Sequence, residues 1–467
     1  MEYGLSTIKS DVEGRKRIFI ATIISMVVMY LGCSRAMFST YMPDDYLLQM
    51  RDVPLSFYMQ QGRFVQAGIT WVFNSLGVNI VSSSPLFLPL FFLFTSLSSS
   101  LIIDAISGDK TPLLVYLLIP AVVVSHPVFS MMSVYHLANV CFALCMACLS
   151  LLVIINEKSK LKSTERNGWK ISILVILICG NYQPAIVVVG SYYLFEFIKN
   201  FKNNGVAGSV KNLMPFICGV VLYAILFKFT KTSLGENNWD NRASLVTDYY
   251  ARLHDIASFL PSFFYNDWWL IPWQYAMSLS FIMVLFLFLA VIKRGGVAAV
   301  YVPAFLICIL AAIAPIAALQ TWDISPRSMF SVSFAYAIMI ASVSDNGLFT
   351  KTKVILLVAL VMLSMMVSNS YLQIVENDNI RDNWMIDRIS RDLAAVGVKG
   401  EEVGFSNTNG RLSVSAWSLS ALIQKRTGLV FNVNANPAIP SGVCSEANTW
   451  PNNNYIVKGP EKITVCL

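Results

Sequence analysis

Two adjacent carboxylates are the first residues with chemical potential. Met42-Pro43-Asp44-Asp45-Tyr46 stands ten residues past the first long apolar stretch, in a chain that uses few charges. In such a pair one carboxylate can act as general base on a sugar hydroxyl, its pKa raised by its neighbour. The other can orient an acceptor or hold a cation. The same residues also suit a helix start, where proline and first-turn acids are favoured. Downstream, Gln60-Gln61-Gly62-Arg63 opens a stretch with Phe64, Val65, Ile69, Trp71, Val72 and Phe73. That pattern predicts an amphipathic helix lying on a membrane surface. Arg63 would then sit at the height of a lipid phosphate, either chelating it or snorkelling to the headgroups.

A second arginine lies far along the chain, in Gln320-Thr321-Trp322-Asp323-Ile324-Ser325-Pro326-Arg327. Arg327 is the one base of this loop and directly precedes an apolar stretch. An isolated arginine on the outer side runs against the positive-inside bias, which favours a specific anionic partner. The segment 230–273 carries Trp239, Tyr249, Tyr250, Trp268, Trp269 and Trp273 beside Asp240, Asp248, Asp255 and Asp267. Most of these aromatics fit an interfacial belt or packing, and a minority could stack on sugar rings. His126, His136 and His254 lack metal-ligand spacing and read as structural or interfacial. Cys141, Cys145 and Cys148 share one helix face, the pattern of close helix packing. The chain has no Walker loop, dinucleotide fingerprint or serine elbow, so nothing points to direct use of ATP or NAD.

Lipid must position these residues. Of 467 residues 56% are apolar and 13% charged, against roughly 25% charged in soluble domains. Mean hydropathy is +0.60. The net charge of +7 collects in short loops, a pattern that orients a membrane protein and does not suggest a nucleic-acid partner. Apolar stretches fall at Ile18–Ser34, Pro85–Ile103, Pro112–Ser125, Leu137–Ile155, Leu213–Phe229, Tyr275–Ile292, Val297–Pro315, Phe330–Ser344 and Val354–Ser368. The first reads as an uncleaved signal anchor with a cytoplasmic N-terminus. Ile171–Ile198 has Gly180-Asn181-Tyr182-Gln183-Pro184 at its centre and lysine-rich flanks on both sides. Basic flanks at both ends require the chain to enter and return, so a hairpin of short helices is expected, with one long tilted helix as the alternative. The expected map is an all-α domain over 1–369 with eleven membrane segments, N-terminus in and C-terminus out. Its external loops are 35–84, 126–136, 230–273 and 316–329, with the hairpin tip at 181–184.

From Ser370 the charges balance. Met385, Ile389, Leu393 and Val396 recur at helical spacing, and Tyr455-Ile456-Val457 and Ile463-Thr464-Val465 flank a turn. Residues 370–467 are therefore expected to form a small α/β domain outside the membrane. Cys444 and Cys466 are the cysteines of this domain, and on the oxidising side they are expected to pair.

The Asp-Asp pair in the first external loop, the short amphipathic helix, the broken membrane helices and the C-terminal domain resemble the GT-C superfamily of polytopic glycosyltransferases. Asp44-Asp45, Gln61-Gly62-Arg63 and Tyr182-Gln183-Pro184 are most similar to the bacterial, often prophage-encoded, O-antigen glucosyltransferases of serotype conversion. That resemblance covers most of the chain in layout, though its motifs are short. It implies transfer of a hexose, glucose as a rule, from undecaprenyl phosphate to lipid-linked O-antigen on the periplasmic face of the inner membrane, with inversion. It also implies a functional link to a donor-lipid synthase and a flippase. Carried over, Asp44 resembles the catalytic base and Asp45 its partner, with the pattern leaving open which takes the proton. Arg63 and Arg327 match phosphate-binding positions by location, and Tyr182, Gln183, Trp322 and Asp323 would line the site. No cofactor is required by the sequence; some members of the superfamily use a divalent metal.

Two other classes share this composition. A lipid-linked oligosaccharide flippase or transporter should carry charges inside its spans, where Glu196 is the lone candidate. An O-antigen polymerase or ligase also uses undecaprenyl lipids but leans on arginine-rich external loops.

Overall fold

The computed structural model describes residues 2–37, 40–50, 55–107, 111–161, 167–234, 245–267, 271–294, 300–322, 324–344, 349–398, 402–406, 410–414, 416–434, 443–444, 448–452, 454–459 and 462–467. The first apolar stretch lies in α1 (Glu2–Cys33). Three short helices follow, α2 (Pro43–Met50), α3 (Leu55–Gln60) and α4 (Phe64–Ser75). On α4 the side chains of Gln66, Ala67 and Thr70 are buried while Trp71 and Val72 are exposed, the two-faced pattern expected of a surface helix.

Next come α5 (Ser84–Ile106), α6 (Leu113–Ser125) and α7 (Pro127–Ser133). The last two are bent by 48° at His126-Pro127, where proline cannot continue α6 and His126 caps α7 by accepting the Val128 N–H. Three buried serines of α5 return their hydroxyls to carbonyls about one turn back, Ser98 and Ser99 to Thr95 and Ser100 to Ser96. Their small, internally satisfied side chains let α8 (Asn139–Leu161) pack closely.

The chain then reverses, as the basic flanks predict. Helix α9 (Gly168–Asn181) ends beside the start of α8, where the Asn181 amide donates to the Cys141 carbonyl. After the turn at Tyr182–Pro184, α10 (Ala185–Leu234) runs back until Glu196 meets Asn156 and Lys160 near the far end of α8. At Gly205, whose φ of 65° lies in the left-handed region, α10 breaks. Its second half returns alongside α9, with the Ser172 hydroxyl donating to the Pro215 carbonyl at 2.7 Å. The expected loop between these segments is thus a broken helix.

Helices α11 (Tyr249–Phe259), α12 (Trp273–Arg294), α13 (Tyr301–Ala317) and α14 (Ser331–Val343) complete the bundle. Every residue of α14 is buried, which makes it the central helix. Among the described residues seven helices are long and apolar enough to cross a membrane, or eight if α6 and α7 form one bent span. Helices α9 and α13 are shorter apolar helices.

One helix, α15 (Thr350–Ala395), runs through the composition change near Ser370 without a break. Its final turns bury Met385, Ile386, Ile389 and Leu393 in a second core. That core is closed by β1 (Glu402–Ser406), α16 (Ala416–Thr427), β2 (Asn432–Asn434), β3 (Ile456–Lys458) and β4 (Lys462–Cys466). The sheet order is β2-β1-β4-β3, with β1 parallel to β2 and β4 and only β3–β4 antiparallel. Cys444 and Cys466 form a disulfide with Cα atoms 5.4 Å apart.

Gly219 is where the returning half of α10 touches α9. A Cβ there would lie 2.7 Å from Val175 Cβ and 2.9 Å from the Ser172 carbonyl oxygen. Gly219→Ala should therefore destabilise the fold by about 1–3 kcal/mol through overpacking, read as a lowered thermal midpoint in detergent. Cys218→Ala, at the exposed neighbouring position, should leave the midpoint unchanged.

Candidate functional site

Pro43 occupies the first position of α2 and both acids fall in its first turn, where the helix dipole favours negative charge. The two carboxylates then diverge, because successive helical residues point about 100° apart. Asp45 turns into the protein and is fully buried. It reaches back to accept the Met42 N–H at 3.0 Å, half of a capping box. It also accepts the Leu137 N–H at 3.0 Å and, more distantly, the His136 N–H at 3.4 Å. Those donors belong to the 3-10 turn that opens α8, so a single carboxylate caps two helices. Burial pushes Asp45 up from 3.8 to about 7, against the pull of its backbone donors.

His136 secures the same segment. Its Nε2 faces the Thr40 carbonyl, which can only accept, so Nε2 carries the proton. Its Nδ1 is left to accept from the Ser84 hydroxyl at 2.7 Å, and the Asn139 amide donates to the same Ser84 oxygen at 2.8 Å.

Asp44 faces a small, partly open cleft that also holds Arg63, Gln66, Tyr135, Asn181, Tyr182 and Arg327. Arg327 lies on the short 3-10 turn Pro326–Met329 ahead of α14. Its Nη1 is 3.7 Å from the Asp44 carboxylate, and its guanidinium carbon is 3.9 Å from the Tyr135 ring centre. Arg63 immediately precedes α4, with its Nε donating to Gln183 Oε1 at 3.2 Å and its guanidinium 5.8 Å from the Tyr182 ring. Burial and the charge of Arg327 both pull Arg63 below the usual arginine range. Among the described residues two guanidinium groups against one carboxylate leave the cleft with one net positive charge, suited to an anionic group.

The two short motifs of the sequence dock on each other here. The Gln183 amide donates to the Gln61 carbonyl, and the Tyr223 hydroxyl donates to the Gly62 carbonyl at 3.3 Å. Gly62 has φ of 74°, and a Cβ on it would lie 2.7 Å from Tyr223 and Phe227. Only glycine meets both conditions. A Cβ on Gly180 would lie 2.5 Å from the Phe64 ring, so the hairpin tip presses directly on α4.

Of the expected site residues, Asp44, Arg63, Tyr182 and Arg327 line one cleft. Gln183 stands behind Arg63 and holds it. Trp322 does not line the cleft; its ring packs on Phe259 and beneath the Arg252 guanidinium, 4.7 Å away. The aromatic-rich loop is drawn together there by Arg252, which donates to the Leu319 and Gln320 carbonyls, so Trp322 serves packing. Asp323 lies outside the described residues, as do Trp239, Asp240, Trp268 and Trp269. Tyr135 and Asn181 are lining residues that sequence reasoning did not single out. Asn181 Oδ1 is buried with no hydrogen-bond partner among the described residues, an acceptor available to a ligand. The same residue's amide holds Cys141, which fixes where that oxygen points. Among the described residues no three His, Cys, Asp or Glu side chains converge on one point. Asp44 is the one carboxylate among the described residues that line the cleft. No family model matches this chain, and no curated protein does.

Asp45 gives the site a pH signature. Between about pH 4 and 7 the folded chain keeps a proton on Asp45 that the unfolded chain has released. Unfolding therefore releases that proton in this window, and the stability contributed by Asp45 falls as pH rises through it. Relative to Asp45→Asn, the thermal midpoint of the wild type in detergent should decline from about pH 4 to about pH 7 and then level. Equal slopes for the two proteins would refute it.

Proposed function

We propose that this protein is an inverting glycosyltransferase of the bacterial inner membrane. In this reading it moves a hexose, glucose by preference, from undecaprenyl phosphate to lipid-linked O-antigen on the periplasmic face. The observation that carries the reading is the opposition, in one open cleft, of a partly exposed carboxylate and two guanidinium groups from distant segments.

The chemistry follows from that opposition. Arg63 and Arg327 take the phosphate of the donor, which replaces Asp44 as the partner of Arg327. Asp44 is then free to remove the proton from an acceptor hydroxyl as its oxygen bonds to the anomeric carbon. The bond from that carbon to the phosphate oxygen breaks on the opposite face, and its electron pair leaves with the polyprenyl phosphate. The developing charge is met by the guanidinium groups. Attack and departure on opposite faces give inversion. Asn181 Oδ1 and Tyr182 offer hydrogen-bond and ring contacts to the sugar.

The eleven-segment arrangement with an external cleft belongs to this reading. Lys158, Lys160 and Lys199 gather at the end of α8 and the hairpin remote from Asp44, and the positive-inside bias supports a cytoplasmic location for that end. Glu196, the intramembrane acid that a transporter would need on its path, is instead paired with Lys160 at 2.9 Å and with Asn156 at 2.8 Å at that same end.

The test is transfer from radiolabelled polyprenyl-phosphate glucose to lipid-linked O-antigen in membranes. Asp44→Asn should lower transfer by about 10²–10⁴, and Arg327→Ala by about 10²–10³, with normal membrane insertion. Asp45→Asn, which keeps an acceptor oxygen toward Leu137, should lose far less. Full activity of Asp44→Asn would remove the carboxylate from the chemistry, and no transfer by the wild type, with other sugars tried as well, would favour a transporter, polymerase or ligase.

A further inference from the structure

The residues flanking the two acids belong to a different core from the acids themselves. Tyr46, next to Asp45, is 2% exposed within the C-terminal core, among Met385, Ile389 and Leu422. Tyr41 packs against the same cluster. Its backbone is gripped at both polar groups by Asn379 of α15. Asn379 Oδ1 accepts the Tyr41 N–H at 2.6 Å, and its amide donates to the Tyr41 carbonyl at 3.1 Å. Asn379 is itself buried, so this two-way bond copies the pairing of adjacent strands in a setting shielded from water. From α16, the Lys425 ammonium stands 3.9 Å from the Tyr41 ring centre and 5.2 Å from that of Tyr46. Arg426 ties α16 back to Asp387 of α15 at 2.6 Å.

Segment 40–46 is therefore held from two sides. The helix bundle holds it through Asp45 and His136, and the C-terminal domain through Tyr46, Asn379 and Lys425. Asp44 lies between these attachments and, among the described residues, pairs with Arg327 across the cleft. Its placement thus depends on both sides at once. We infer that the C-terminal domain is part of the reaction centre, with Asn379 as the positioning residue that holds Asp44 in the cleft and Lys425 in support. This rests on the glycosyltransferase reading for the reaction it serves, and not for the clamp itself.

The experiment uses full-length protein in detergent, with two readouts. The first is steady-state transfer with the polyprenyl-phosphate glucose donor; the second is amide hydrogen exchange over residues 40–46. Asn379→Leu keeps the branched outline of the side chain and removes both hydrogen bonds. It should lower kcat about tenfold, in the range a small misplacement of a reacting group produces, while the KM for donor stays within about twofold because Arg63 and Arg327 are untouched. Exchange at 40–46 should quicken, with α8 and α14 still protected. Lys425→Met should act in the same direction by about two- to fivefold, and Lys425→Arg should restore the wild-type values. Lys425→Met also carries the test should Asn379→Leu fail to fold. Unchanged exchange in folded variants would overturn the clamp, and faster exchange with unchanged kcat would overturn its role in positioning Asp44. Absence of transfer by the wild type would count against the glycosyltransferase reading alone, and the exchange data would still decide the clamp.

Discussion

The site depends on one buried carboxylate. Removing Asp45 from water is costly unless donors replace its hydration, and the N–H groups at the start of a helix are the donors a fold has in surplus. Asp45 meets the Leu137 and His136 N–H groups at the start of α8 while closing the capping box of its own helix. Each partner thereby solves a problem of the other: the acid gains hydrogen bonds, and two helix ends gain an acceptor. Because the bonds are short-range and directional, they fix α2 in rotation as well as position. With Asp45 turned inward, helical geometry sends Asp44 to another face, and that face is the cleft.

The positive side of the cleft is built by a different device. Two guanidinium groups near each other repel, and burial adds to the difficulty for Arg63. The fold holds them with tyrosine faces and a neutral amide: Tyr135 under Arg327, Tyr182 beside Arg63, and Gln183 on its Nε. None of these cancels a charge. An arrangement that holds two guanidinium groups side by side, with one carboxylate 3.7 Å from Arg327, is electrostatically suited to a further anionic group. The glycine at position 62 is what brings the Arg63 segment so close to Tyr223 and Phe227, since any side chain there would hold it off.

Much of this was legible in the sequence, for identifiable reasons. Long apolar stretches announce helices because lipid tolerates little else, and the lysine-rich flanks of the 171–198 stretch indicated its reversal. The Asp-Asp, Gln-Gly-Arg and Tyr-Gln-Pro motifs were visible as residue types but not as partners. Asp45 meets Leu137 across 92 positions and Arg63 meets Gln183 across 120. No periodicity encodes such distances. For the same reason the sequence left the two acids equivalent, assigned Gln183 to the lining when it braces Arg63, and drew Trp322 into the site when its ring serves packing. In the C-terminal domain the β3–β4 hairpin was legible because its strands are adjacent. The parallel pairing of β1 with β4 across some sixty residues was not.

Composition also suggested a boundary near Ser370, and there the physics of the chain and its chemistry part ways. Charge balance changes at that point because the surroundings change from apolar to polar. The backbone does not respond: α15 continues for 46 residues, about 69 Å at the helical rise, from a membrane-capable segment into the second core. An unbroken helix transmits rotation and displacement between its ends, whereas a linker would absorb them. The same two bodies meet again at segment 40–46, where Asp45 is anchored in one core and Tyr46 in the other. Two attachments, one a rigid rod and one a shared segment, restrict relative motion far more than either alone. A domain so attached cannot shift without moving the residues around Asp44, which ties whatever it binds to the geometry of the cleft.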